Sequence, residues 1–211
     1  MPGTFLERWS NLGADVPIDD DDGWTSLGRS LLGRHEEPIR SYHGTHHVIA
    51  VLETMVALDD SRGRDPALRL AAFLHDAIYD PTASDNEKRS AMLAETELGR
   101  LGVRHAIIER TARLIRATDG HGTDGSPDVA LFLDADLAIL GRRPVVYDAY
   151  AAAIRREYGH LTDDVFRAGR AGVLRMFLDR SQLFFTTAGG ARFEQPARAN
   201  LTRELQRLTG P

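Results

Sequence analysis

The chain has 211 residues, 42% of them hydrophobic, enough to bury a substantial core in one domain. It contains no cysteine, which excludes disulfides and thiolate chemistry and leaves His, Asp and Glu as the side chains able to hold a metal. The formal net charge of -5 provides no basic field for nucleic acid or anionic lipid, so neither is an expected partner.

The opening Met1-Pro2-Gly3-Thr4-Phe5-Leu6-Glu7-Arg8 lacks the basic start and apolar stretch of a secretory signal. No apolar run approaches the ~20 residues of a membrane-spanning helix, and a cytoplasmic setting is the expectation. Asp19 to Asp22 are four consecutive aspartates ahead of Gly23-Trp24-Thr25-Ser26. Such a run can bind a hard cation, but a solvated loop and helix start is the favoured reading. Helical periodicity dominates from about Ser26 onward and no stretch alternates as a strand, so the expected fold class is all-α.

A helix is expected over about 46–58, with Val48, Val51, Leu52 and Met55 on its apolar side, closed by a turn at 61–66. Pro66 then reads as the first-turn proline of a central buried helix over about 67–79, apolar on nearly every side. His75 and Asp76 interrupt that helix together, and burying them unpaired would cost several kcal/mol. Ser84 to Glu87 spells a capping box that opens the next helix, to about 98. Helices follow over about 105–118, 128–140, 144–158, 162–180 and 195–208, with a long polar loop at 121–128. One domain is expected over 1–211, its core at about 40–180 with the last helix, about 196–208, packed on it.

Four segments set metal-type ligands among apolar residues: Tyr42-His43-Gly44-Thr45-His46-His47, Leu74-His75-Asp76, Thr118-Asp119-Gly120-His121 and Leu133-Asp134-Ala135-Asp136. Imidazole and carboxylate together suit Mn, Fe, Co, Ni or Zn. A lone histidine on an apolar helix is more often a hydrogen-bonded core residue than a ligand. The adjacent pair His75-Asp76 differs, because neighbours on a helix point about 100° apart and both need partners in the core. A shared metal satisfies both.

The order His47, His75-Asp76, Asp136 resembles the H…HD…D pattern of the HD superfamily of metal-dependent phosphohydrolases. More closely, the chain resembles a predicted HD phosphohydrolase family, through Arg40-Ser41-Tyr42-His43 with His47, His75-Asp76-Ala77-Ile78-Tyr79-Asp80, Asn86-Glu87-Lys88-Arg89-Ser90-Ala91, Asp134 to Gly141, and Arg155-Arg156-Glu157-Tyr158. The likeness runs from about Arg40 to the C-terminus, where Glu194, Ala197-Arg198 and Asn200 also match. It implies an HD-type helical bundle around a divalent metal (Mn, Fe, Co, Ni, Zn or Mg) held by His47, His75, Asp76 and Asp136. It further implies hydrolysis of a phosphomonoester or phosphoanhydride in a small, nucleotide-like metabolite by metal-activated water. A non-catalytic module that binds metal or nucleotide is the alternative, and a homodimer is compatible with either. His43 and His47, four residues apart, share a helical face if the helix begins that early, which favours His47 over His46 as the ligand.

The remaining candidates each carry two readings. His43 is an outer contact of the metal site or of substrate, or else a packing residue. Tyr79 presents its hydroxyl to a leaving oxygen or is an ordinary core tyrosine. Glu87 acts as general acid or orients water, in competition with the capping box. His121 serves a second metal or a phosphate, or caps a helix end. Asp134 orients a ligand histidine or sits near a second metal, although one metal is preferred. Arg155 and Arg198 are candidate phosphate anchors, against the usual ion-paired surface role. The three residues Phe184, Phe185 and Phe193 read as core rather than a base-stacking platform.

Overall fold

A computed structural model describes residues 3–210 and is all-helical, with no strand among them. One helix precedes the region where the periodicity becomes clear, and a second begins just before it. The first, α1 (Phe5–Gly13), opens with a realised capping box: the Thr4 hydroxyl accepts from Glu7 N and the Glu7 carboxylate accepts from Thr4 N. In α2 (Asp21–His35), the Asp20 carboxylate accepts from Gly23 N, so the aspartate run is a helix start, as favoured. The two helices lock together through Trp9 and Trp24, stacked at 4.2 Å, each indole N–H donating to the other's backbone carbonyl. A Cβ at residue 28 would lie 2.3 Å from the Trp9 ring, so glycine there sets the approach of α1 to α2.

Next come α3 (Thr45–Leu58) and the central α4 (Pro66–Leu74). Asp65 caps α4 by accepting from Ala67 N and Leu68 N, and Pro66 fills its first turn. Every α4 residue after Pro66 except Arg69 is buried, and α4 contacts α1, α3, α5, α6 and α7. The expected run to residue 79 is corrected: α4 stops at Leu74. The chain turns off because Ala77 N bonds to Leu74 O while other groups take the freed backbone. Ser90 Oγ accepts from Ile78 N at 3.0 Å, and Arg40 donates to Asp76 O at 2.7 Å.

After this turn, α5 (Asn86–Arg100) pairs with α6 (His105–Ala117), and both pack on α4. The capping box expected at Ser84 to Glu87 does not form. The helix starts after Asp85 with no side-chain cap, and Asn86 instead exchanges hydrogen bonds with the backbone of Asp80. Helix α7 (Pro127–Leu137) packs on α3 and runs into a 3₁₀ segment, Ala138–Gly141. It is followed by α8 (Pro144–Glu157), α9 (Asp163–Leu178), a single turn α10 (Thr187–Gly189), a π-helical Gly190–Glu194 and α11 (Gln195–Thr209). The last helix packs on α9 and on the 3₁₀ segment, where Asn200 Nδ2 donates to Leu140 O and Arg142 O. No helix among the described residues is long and apolar enough to cross a membrane.

The last residue of α2, His35, is buried; its Nε2 meets Phe73 O at 3.0 Å and Nδ1 has no partner. Burial lowers its pKa from 6.5 to about 4, against the bond to Phe73 O. Above pH 6.5 the ring is neutral in folded and unfolded chains alike. As pH falls from 6.5 to about 4 only the unfolded chain takes the proton, so up to about 3 kcal/mol of stability is lost across that window. Urea unfolding of wild type and His35→Gln between pH 7 and pH 4 should show the steeper decline in wild type. Parallel declines would assign the acid sensitivity elsewhere.

Candidate metal centre

The turn that ends α4 delivers His75 and Asp76 to one point, and α3 and α7 bring His47 and Asp136 to the same point. The ligand atoms of His47, His75 and Asp136 all lie within 4.8 Å of one another, and this group can hold a metal ion. His47 Nε2 is 3.1 Å from His75 Nε2 and 3.0 Å from Asp136 Oδ1. Asp76 Oδ2 lies 3.1 Å from His75 Nε2 and 3.6 Å from His47 Nε2. His47 is buried at the start of α3 whereas His46 is exposed, which settles the register in favour of His47.

Local chemistry fits a cation among these atoms. His75 Nδ1 donates to Ala72 O at 3.0 Å, which holds the ring with Nε2 aimed toward Asp76 and His47. Asp76 Oδ2 is correspondingly buried without a hydrogen-bond donor. Burial opposes charge on His75, but Asp76 and Asp136 outweigh it and raise its pKa well above the ordinary value. Burial likewise opposes ionised Asp136, yet bonds from His121, His47 and His75 hold it well below the usual carboxylate range. A divalent ion, which takes N and O ligands together, would match the two carboxylates and two imidazoles held this close.

Around this cluster opens a cavity of about 650 Å³. His43, Tyr79, Glu87 and His121 all line it with His75, Asp76 and Asp136. His121 does not cap a helix end: its Nε2 donates to Asp136 Oδ2 at 2.9 Å, from a residue with φ of 48°. That left-handed backbone is uncommon for a non-glycine residue, and Arg180 holds it by donating to the carbonyls of Gly120 and His121. Glu87 is half-buried on the first turn of α5.

Glu157, at the end of α8, is a residue that sequence reasoning did not single out, although it lies in the quoted Arg155 to Tyr158 motif. Its buried carboxylate accepts from Tyr42 N at 2.7 Å, His43 N at 3.0 Å, His43 Nδ1 at 2.7 Å and the Tyr79 hydroxyl at 2.8 Å. Burial works against its charge, but His43 and the backbone donors pull its pKa down to about 2. One correction and one choice between readings follow. The single proton of Tyr79 is committed to Glu157, with burial and that carboxylate raising its pKa, so Tyr79 does not offer it to a leaving oxygen. His43 is no mere packing residue, because its Nδ1 is fixed by Glu157 while Nε2 is left to the cavity.

Three other candidates lie elsewhere. Asp134 turns away from the cluster and accepts from Phe185 N, Thr186 N and Thr186 Oγ1 at 2.6–2.8 Å, holding the 185–186 backbone on α7. Arg155 is spent on Asp163 and on the carbonyls of Tyr158 and Leu161, joining α8 to α9. Arg198 bonds Glu194 and the carbonyls of Leu178 and Arg180, closing the end of α9. Neither arginine lines the cavity, so neither serves there as a phosphate anchor. As read from sequence, Phe184 and Phe193 are buried and packed on each other at 5.4 Å. No family model, curated protein or solved structure matches the chain.

A metal held by this group would add its free energy to folding, because the side chains are assembled only in the native chain. A chelator should therefore lower the wild-type melting temperature clearly and that of Asp76→Ala little. Asp134→Ala should lose roughly 3 kcal/mol with its three hydrogen bonds, yet keep the chelator response. Arg104→Ala, at an exposed position, should match wild type in both. An unmoved wild-type melt together with no metal by elemental analysis would remove the metal centre.

Proposed function

We propose that the chain is a cytoplasmic, metal-dependent phosphohydrolase of the HD type, acting on a small phosphorylated metabolite. The observation that carries this reading is the convergence of His47, His75, Asp76 and Asp136 at one point, with His75, Asp76 and Asp136 lining one cavity. Its support in sequence is the resemblance to the HD pattern at those same four positions.

A divalent ion bound there supplies Lewis-acid polarisation of a phosphoryl oxygen and acidifies water. The chain's own residues do the rest. His121 orients the Asp136 carboxylate, and the carbonyl of Ala72 orients the His75 ring, the outer contacts by which metal ligands are held in aim. Glu157, bound to His43 Nδ1, favours the protonated ring, so that His43 can donate its Nε2–H to a phosphate oxygen. Glu87, half-buried in the wall, is the candidate proton donor to the leaving group.

The test is phosphate release from a panel of phosphomonoesters and nucleotides with Mn, Co, Ni or Mg added. Wild type should turn over at least one of them, and Asp76→Ala none. Glu87→Gln should lower kcat by about 10²–10⁴-fold, the usual worth of a general acid, with metal content unchanged. Equal release by Asp76→Ala would assign the activity to a contaminant. Tight nucleotide binding without turnover in any metal would leave a non-catalytic binding module.

A further inference from the structure

The cavity lining is chemically mixed, and its apolar part bears on what enters. At 650 Å³ it has room for a whole metabolite beyond a phosphate group. Histidines and carboxylates of the metal centre make up one part of the lining. Residues of α9 supply an apolar part, with Val165, Phe166, Val173, Met176 and Phe177 among them, and Phe177 packs on His121 at 6.1 Å. Val165, Val173 and Met176 are 55%, 42% and 46% exposed, an uncovered apolar stripe of the kind that marks a binding surface. The other side of the same helix packs on α11.

Charge narrows the occupant further. Arg170 is the only arginine lining the cavity, there is no lysine, and both its Nε and Nη2 are bound by Glu204. Four carboxylates share the lining: Asp76, Glu87, Asp119 and Asp136. A di- or triphosphate chain would bring several negative charges to walls with no free guanidinium to meet them.

Gly169 lies on the same face, with open space beside it as at Gly172 of the same helix. It lies within α9, where glycine weakens a helix, and a Cβ built there meets nothing within 4 Å. No protein neighbour demands a glycine at this position. The space that it leaves open belongs to the cavity.

We infer that the substrate carries one phosphate on an apolar, uncharged body, with the phosphate at the metal centre and the body against the Val165–Gly169–Val173 face of α9. This rests on the phosphohydrolase reading for the phosphate end and on the α9 wall for the body. Asp119 adds selection against any second anionic group.

Binding, rather than turnover, tests it. Calorimetry with the Mn-loaded protein compares phenylphosphonate, methylphosphonate and a non-hydrolysable imido analogue of ATP. Phenylphosphonate should bind at least about tenfold tighter than methylphosphonate, the worth of burying a ring, and tighter than the triphosphate. Gly169→Leu should erase the phenyl advantage while leaving methylphosphonate affinity and the helical fold unchanged. The inference is overturned if the triphosphate binds tightest, if phenyl and methyl bind alike, or if Gly169→Leu alters only self-association and not ligand affinity. Phenyl-selective binding without hydrolysis of any ester would sink the catalytic reading alone. Ester hydrolysis without phenyl selectivity would sink this one alone.

Discussion

The structure depends on a helix that ends inside its own core. Helix α4 is the most enclosed element of the chain, and it stops at Leu74 with the polar pair His75-Asp76 immediately behind it. A helix end leaves carbonyls without intrahelical partners, and in the interior no bulk water can serve them. Compensation therefore comes from distant parts of the chain. The buried guanidinium of Arg40 takes the carbonyls of Asp76 and Ala77, and Ser90 of α5 takes Ile78 N. With the backbone satisfied in this way, the side chains of His75 and Asp76 are free to meet His47 and Asp136.

A second buried carboxylate ties that arrangement to the C-terminal half. Glu157 reaches from α8 to four donors on the 42–43 loop and Tyr79, so the segment leading into α3 is hung from α8. Arg40 lies over the Tyr79 ring at 5.2 Å and donates to His43 O, so the Arg40 and Glu157 contacts converge on the same few residues. Asp134 does comparable work on the far side of α7. It holds an irregular backbone segment by direct hydrogen bonds instead of by a sheet. Buried charge is spent here mainly on backbone N–H groups, the partners that let a carboxylate stay ionised away from water.

Much of this was legible in the residues themselves. The starts and ends of α3, α6, α8 and α11 follow from period, proline and glycine signals, and the expected limits lie within a residue or two of the observed ones. Capping chemistry was less dependable. Ser84 to Glu87 has the capping-box spelling and does not cap, because Asn86 is engaged with Asp80. Thr4 to Glu7 has the same spelling, was passed over, and does cap α1. The spelling states what two side chains can do. Competition from neighbouring groups decides which does it.

By itself the sequence determined the helical class and the presence of His and Asp donors among apolar segments, since both are matters of residue type and local period. Tertiary structure decided where α4 stops, that His47 rather than His46 is buried, that the Tyr79 proton belongs to Glu157, and that Arg155 and Arg198 brace helix ends instead of a ligand. The physical reason is distance along the chain. Hydrogen bonds such as those from the 42–43 backbone to Glu157 join residues more than a hundred positions apart, and such partners leave no mark on the periodicity of either segment.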